Sequence, residues 1–179
     1  VHKKTDTDFM WRRPWGVRNP RNTVPPTGDP SSVWLDYYEG GWQTVVPHGG
    51  YSDRVYGADF GIHGDVNLIP WDTQVIKDTP NEVSVRFNAR SVRMPMSVSK
   101  TLSLVSGSSM LRIEEAVTNQ GDEDLDIVWL DHIAIGAPVL SDKAKLYVPK
   151  SKLLSHPESI DPNSKLQPDF SGEWPNTVL

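Results

Sequence analysis

Runs of alternating apolar and polar residues constrain the fold of this chain more than any other feature. In the clearest run, Glu82–Arg90, every second residue from Val83 to Ala89 is apolar, so the apolar side chains share one face of an extended strand. Similar runs cover Val98–Leu104, Leu111–Thr118 and Leu125–Ala134. Because successive side chains of a strand point to opposite faces, these runs predict half-buried strands rather than helices.

The segments around these runs predict how the strands connect. Asn119-Gln120-Gly121-Asp122 forms a glycine-containing turn, so the runs on either side of it are predicted to pair as an antiparallel hairpin. Lys145–Val148 is predicted to be a further short strand. No window has the pattern and caps of an amphipathic helix, and Ser32–Tyr38 has a strand-like composition. Five prolines between residues 14 and 30 exclude a helix from the N-terminal region.

These elements predict an all-β fold of antiparallel sheets, arranged as a β-sandwich or barrel. At 179 residues and 20.0 kDa, the chain is long enough for one domain with a substantial core. We therefore expect a single domain over residues 1–179, with a loop-rich segment at 1–30 and an irregular tail at 150–179.

Charge and composition exclude several classes of partner. A net charge of -5 provides no basic field for nucleic acid. The basic cluster of Arg12, Arg13, Arg18 and Arg21 is interrupted by prolines and is typical of an exposed loop. No apolar run is long enough to cross a bilayer, and no segment has the pattern of a signal peptide, so no membrane partner is expected. The absence of cysteine excludes disulfides, thiolate catalysis and zinc–thiolate sites but leaves the compartment open.

Both ends of the sequence indicate a piece of a longer polypeptide. The chain begins with Val1 rather than methionine and ends in the apolar segment Trp174–Leu179. A truncated sheet would expose unpaired strand edges, which readily pair with another chain. We therefore expect self-association or a complementing chain.

Two glycine-bounded stretches, Gly40–Gly50 and Gly61–Trp71, contain the densest group of aromatic and polar side chains. Glycine permits close backbone approach to a ligand. Aromatic rings stack on the CH faces of a sugar, while His, Asp, Asn and Gln satisfy its hydroxyls, so these stretches fit a carbohydrate site. The alternative is a loop-rich corner in which Trp42 and Trp71 fill the core and the glycines serve turns.

Among the histidines, His132 is the most informative because it lies in the most hydrophobic predicted strand. One hypothesis is that His132 is a general acid, because imidazole titrates near neutrality. The other is that it is a core histidine that bonds a backbone carbonyl. Its neighbour Asp131 would point to the opposite face of the strand and is not a dyad partner. His48 is a further candidate for lining the carbohydrate site. His48, His63, His132 and Asp65 are also candidate metal ligands, but their spacing in the sequence is not the tight spacing typical of a metal site. No metal and no cofactor are expected.

The order of several short motifs resembles the aldose 1-epimerase (galactose mutarotase-like) superfamily over roughly residues 40–140. The motifs are Gly40–Pro47, Ile62-His63-Gly64, Pro70-Trp71, the paired strands from Arg93 to Leu104 and from Leu111 to Asn119, and Asp131–Gly136. The resemblance implies a supersandwich of antiparallel sheets and a reaction that interconverts the α and β anomers of an aldose without a cofactor. A monosaccharide or sugar derivative would be the ligand.

The resemblance also implies roles for individual residues. His132 would protonate the ring oxygen, His63 would bind the sugar, and Arg54 would stand for the substrate arginine of the family. Trp42 or Trp71 would form a stacking wall. The glutamate base that the family carries on a late strand has no counterpart after Pro149, and Glu173 does not take its place. The competing hypothesis is therefore a non-catalytic carbohydrate-binding or structural β-sandwich module.

Overall fold

The structure is a computed structural model, and it describes residues 4–14, 30–141, 143–145, 147, 149–159, 162 and 167–174. The chain divides into two compact units, Val1–Val139 and Leu140–Leu179, which are described separately. The residues of the candidate site all belong to the first unit.

Strands dominate the described residues, which contain one α-helix and one 3-10 helix. In chain order the elements are α1 (Pro30–Tyr37), β1 (Trp42–Val45), β2 (Asp53–Val55), β3 (Ala58–Phe60), the 3-10 helix η1 (Val66–Leu68), β4 (Asp72–Asp78), β5 (Glu82–Arg90), β6 (Met96–Val105), β7 (Leu111–Asn119), β8 (Leu130–Ile133), β9 (Ser151–Leu154) and β10 (Ser171–Trp174). All paired strands are antiparallel. The predicted all-β fold class is therefore confirmed, while the sandwich arrangement stays a prediction.

The largest sheet has four strands in the order β4-β5-β6-β7. The predicted alternating runs form β5, β6 and β7, and their register aligns Val85 with Leu102 and Leu102 with Ile113. In this register the apolar positions of neighbouring strands lie side by side, so the apolar residues of all three strands share one face of the sheet. One end of this face packs into the core cluster, which contains Val46, Phe60, Val66, Met94, Met96 and Val98.

Strand β8 pairs with β1 rather than with β7, so the predicted hairpin between the last two alternating runs is wrong. The turn after β7 redirects the chain, because Gln120 donates its backbone N–H to the Pro95 carbonyl at 2.6 Å. Further along, the Val128 N–H bonds the Pro47 carbonyl at 2.7 Å, which leads the chain toward β1. The turn signal identified a reversal correctly, but not the strand that the returning chain joins.

The predicted strand at Ser32–Tyr38 is also wrong, because Pro30–Tyr37 forms helix α1. Proline suits the first position of a helix, where no intrahelical partner for an N–H is needed. The Tyr38 N–H closes a helical turn on the Trp34 carbonyl at 2.8 Å. The helix brings Trp34 and Tyr38, four residues apart, onto one face.

The two ends of the chain form short pairings. Near the N-terminus, isolated antiparallel bridges join Met10 to Ile135 and Arg12 to Gly40. In the second unit, β9 and β10 form a two-stranded sheet within the segment that was expected to be irregular. The predictions for Arg18, Arg21 and part of Lys145–Val148 lie outside the described residues.

Candidate functional site

His63 and His132, which lie far apart in sequence, come together in the structure with their ring centroids 5.3 Å apart. His132 lies on β8 directly opposite Gln43 on β1. His63 lies in the turn between β3 and η1, where its backbone N–H bonds the Gly50 carbonyl at 3.2 Å. Both imidazoles are partly exposed, so a ligand can reach them.

Helix α1 and the residue after it place two aromatic rings against this histidine pair. The Trp34 ring meets His63 edge-on at 4.6 Å and His132 edge-on at 5.4 Å, measured between centroids. Tyr38 stacks on Trp34 and contacts His132 edge-on at 5.3 Å. The two imidazoles therefore pack against an aromatic wall formed by Trp34 and Tyr38.

The hydrogen bond of His63 fixes its tautomer. Its Nδ1 lies 2.9 Å from the Gly49 carbonyl oxygen, and because a carbonyl only accepts, Nδ1 carries the proton and donates it. Burial lowers the pKa of His63, and the charge of His132 lowers it further, although the bond to Gly49 acts in the opposite direction. His63 is thus held neutral, with Nε2 as a free hydrogen-bond acceptor.

Unpartnered buried polar atoms concentrate around the histidine pair. Among the described residues, five buried side-chain N or O atoms have no hydrogen-bond partner: Trp34 Nε1, Gln43 Oε1, Asp65 Oδ1, Asn67 Oδ1 and His132 Nδ1. Gln43 is the strand partner of His132, Trp34 contacts both imidazoles, and Asn67 donates to the His63 carbonyl at 3.3 Å. Orphaned buried polar groups are rare in folded proteins, so this concentration indicates a place for a polar ligand or water.

The opposite face of β1 and β8 carries a charged cluster, defined here as Lys100, Glu115, Asp131 and Thr44, of which Lys100 and Thr44 are buried. Lys100 Nζ lies 2.7 Å from Glu115 Oε1, 3.0 Å from Thr44 Oγ1 and 3.4 Å from Asp131 Oδ1. Burial alone would raise the pKa of Glu115, but hydrogen bonds from Lys100, Thr44 and Trp129 outweigh it and lower this pKa. Glu115 is therefore an ionised structural anion. Asp131 points away from His132, as the strand geometry predicted.

Next to this cluster lies a cavity of about 360 Å³. Trp42, Trp71 and Phe87 supply aromatic rings, and Glu39 and Lys100 supply charged groups. The Lys100 ammonium lies 5.5 Å from the centroid of the Trp42 ring. Trp42 and Thr44 share one face of β1. Gln43 and Asn67 also line the cavity, so it adjoins the histidine pair.

A family model described as a domain of unknown function, DUF4432, matches residues 2–171. The chain belongs to the DUF4432 family. Comparison of this DUF4432 chain with curated proteins and with solved structures finds no match.

The remaining predicted site residues of the DUF4432 chain lie apart from the histidine pair or at its rim. Arg54 forms an exposed ion pair with Asp59 on the neighbouring strand at 3.3 Å. His48 bonds the Tyr51 carbonyl through Nε2, and its charge contributes to the lowered pKa of His63. Trp71 donates its Nε1–H to the Val66 carbonyl at 2.8 Å and packs against the core cluster.

The described residues also bear on the metal hypothesis. They contain no group of three or more His, Cys, Asp or Glu side chains that could hold a metal ion. Asp65 instead accepts hydrogen bonds from Ser91 Oγ at 2.9 Å and the Val92 N–H at 2.8 Å, and burial raises its pKa. Nor is any helix in the described part of the chain long and apolar enough to span a membrane.

The sequence prediction missed Trp34, Tyr38 and the individual roles of Gln43 and Asn67. The signal for the two aromatic residues was available, because Pro30 can begin a helix and residues four apart then share a face. No such signal marks Gln43, since its position opposite His132 depends on the pairing of β1 with β8.

Proposed function

We propose that the DUF4432 chain carries the acid–base centre of an aldose 1-epimerase-like enzyme that interconverts sugar anomers. The observation that carries the proposal is the pair of imidazoles 5.3 Å apart, one of them held neutral, beside aromatic rings and unpartnered polar atoms. The resemblance of Ile62-His63-Gly64 and Asp131–Gly136 to the mutarotase motifs supports the same assignment.

The reaction needs one proton donor and one proton acceptor. His132 in its protonated form gives a proton to the ring oxygen O5 while Nε2 of His63 takes the proton of the C1 hydroxyl. The C1–O5 bond breaks as the C1–O1 double bond forms, which yields the open-chain aldehyde. Rotation about the C1–C2 bond and the reverse proton transfers close the ring as the other anomer.

The electrostatics of the pair suit this division of roles. The lowered pKa of His63 keeps its imidazole neutral, so its Nε2 is available to accept a proton. The resemblance implies that His63 binds the sugar. Its fixed tautomer leaves Nε2 unprotonated, so we propose that His63 also acts as the base. Glu115 does not compete for this role, because its carboxylate is bound by Lys100, Thr44 and Trp129 on the other face of β1 and β8.

Anomeric exchange by NMR tests the proposal. Wild-type protein should accelerate the exchange of α- and β-glucose or galactose, and His132→Gln and His63→Gln should each lower the rate by about 100-fold or more, because each removes one proton-transfer group. His156→Gln, which removes an exposed imidazole that bonds Glu158, is the matched control and should keep the rate. Unchanged exchange in both pair variants would refute the proposal.

The alternative is a carbohydrate-binding module without turnover. The aromatic cavity beside Trp42 and Trp71 is the observation that favours it, since binding requires stacking surfaces and no base. Sugar-dependent shifts of indole N–H signals without any acceleration of exchange would support this alternative over the enzyme.

A further inference from the structure

The cavity beside the charged cluster adjoins the histidine pair but offers a ligand different groups. Gln43 and Asn67 line it, whereas the imidazoles of His63 and His132 do not. The cavity of about 360 Å³ falls within the size range of small-molecule sites, roughly 300–1,000 Å³.

The walls of the cavity favour a ring-shaped ligand. Trp42, Trp71 and Phe87 supply three aromatic rings, and the Trp42 side chain remains substantially exposed. The Nε1–H group of Trp71 already donates a hydrogen bond to the Val66 carbonyl, so it is not available to a ligand. What Trp71 offers a ligand is therefore its π-face, which attracts CH groups and cations.

Glu39 supplies the free charged group of the cavity. Of the two charged residues that line it, Lys100 has its three N–H donors engaged by Glu115, Asp131 and Thr44. The carboxylate of Glu39 accepts no hydrogen bond from any described residue. The charged group that the cavity wall offers a ligand is therefore a hydrogen-bond acceptor.

We propose that this cavity binds an amino sugar, as a ring-faced ligand with an ammonium group. The apolar face of the pyranose ring stacks on the indoles of Trp42 and Trp71, and the ammonium pairs with Glu39. A neutral hexose would gain the stacking but not the ion pair, and an anionic sugar would be repelled by the Glu39 carboxylate. Neither His63 nor His132 lines the cavity, so binding there does not require the proton transfers proposed for them.

Titration of the full chain with three sugars tests the proposal. Glucosamine, N-acetylglucosamine and glucose share the ring, but at about pH 6 only glucosamine carries a positive charge, because amines of this kind titrate near pH 8. We expect glucosamine to shift the indole N–H signals of Trp42 and Trp71 and to bind about fivefold more tightly than the other two sugars. At about pH 9 the preference should disappear.

Three variants separate the contributions. Glu39→Gln should abolish the preference for glucosamine while leaving the weak binding of glucose, and Glu82→Gln, which alters an exposed carboxylate paired with Lys77, should keep it. Trp42→Ala should weaken binding of all three sugars. His132→Gln should leave glucosamine binding unchanged even if anomeric exchange is lost, which distinguishes this inference from the proposed function. Equal binding of charged and neutral sugars, or a preference that survives Glu39→Gln, would overturn it.

Discussion

His63 combines an unusual backbone conformation with a fixed imidazole. Its φ of 63° lies in the left-handed region, which non-glycine residues rarely adopt and which costs free energy. The conformation is retained because the backbone N–H bonds Gly50 and the ring bonds Gly49. Two consecutive carbonyls of one loop therefore determine where Nε2 of His63 lies relative to His132.

The lowered pKa of His63 predicts how stability depends on pH. Burial, the first cause, and the neighbouring charges lower its pKa from the ordinary value of 6.5, so the unfolded chain binds a proton more readily than the folded one. The contribution of His63 to the free energy of unfolding is then fully present above 6.5 and is lost as pH falls through the lowered pKa. Urea unfolding between about pH 8 and 5 should show a weaker pH dependence for His63→Gln than for wild type. Identical pH dependence in the two proteins would contradict this assignment.

At the residue scale, the sequence predicted what strand geometry alone determines. Asp131 and His132 are neighbours on one strand, so their opposite orientation follows from the period of two. The partnership of His63 with His132 followed only from the family resemblance, because the loop between β3 and η1 has no periodicity that fixes a long-range contact. The aromatic wall of Trp34 was missed because its segment was predicted to be a strand.

At the scale of elements, the charged cluster links the two-stranded sheet of β1 and β8 to the four-stranded sheet. Lys100 on β6 reaches Thr44 on β1 and Asp131 on β8, which are partners in the same ladder. The next pair of that ladder is Gln43 and His132. A change in this polar link would therefore displace the proposed acid by acting on its strand.

Two lysine variants measure the strength of this link. The side chain of Glu115 is only 7% exposed, and Lys100→Met removes the cation that pairs with it. We therefore expect a loss of about 3 kcal/mol in the free energy of unfolding. Lys77→Met is the matched control, because the Lys77–Glu82 pair has a similar distance of 2.6 Å but side-chain exposures of 49% and 32%. Its expected cost is about 0.5 kcal/mol. Equal losses in denaturant unfolding would show that burial of the pair is not decisive.

The alternating runs predicted β5, β6 and β7 well because these strands are long and pair with their sequence neighbours. Their register follows from placing Val85, Leu102 and Ile113 on one face. Strand β8 has only four residues and joins a strand about 90 positions earlier in the chain. Local turn signals carry no information about such a distant partner, which is why the hairpin prediction failed.

At the scale of the whole first unit, part of the apolar face of the four-stranded sheet is left uncovered by residues 4–14 and 30–139. Beyond the core, this face continues through Val83, Leu104 and Leu111, which are 38%, 46% and 43% exposed. The register aligns these three residues across β5, β6 and β7. Contiguous exposed apolar surface of this kind commonly marks an interface.

The edge of the same sheet is a weaker candidate for association. Strand β4 carries Asp72, Lys77 and Asp78, and its register shifts between Val75 and Lys77. Charges and bulges on an edge strand discourage pairing with another chain. The self-association expected from the sequence would therefore proceed through the apolar face, where two sheets can pack face to face.

Light scattering after gel filtration tests this expectation. Wild-type protein should elute with a mass above the 20.0 kDa of one chain, and the mass should fall with dilution. Leu104→Lys places a charge in the middle of the apolar row and should yield the monomer, since burying an unpaired charge in an interface is costly. Thr101→Lys, on the other face of β6, is the matched control and should leave the association intact. A wild-type protein that elutes only as a 20.0 kDa monomer at high concentration would contradict the prediction.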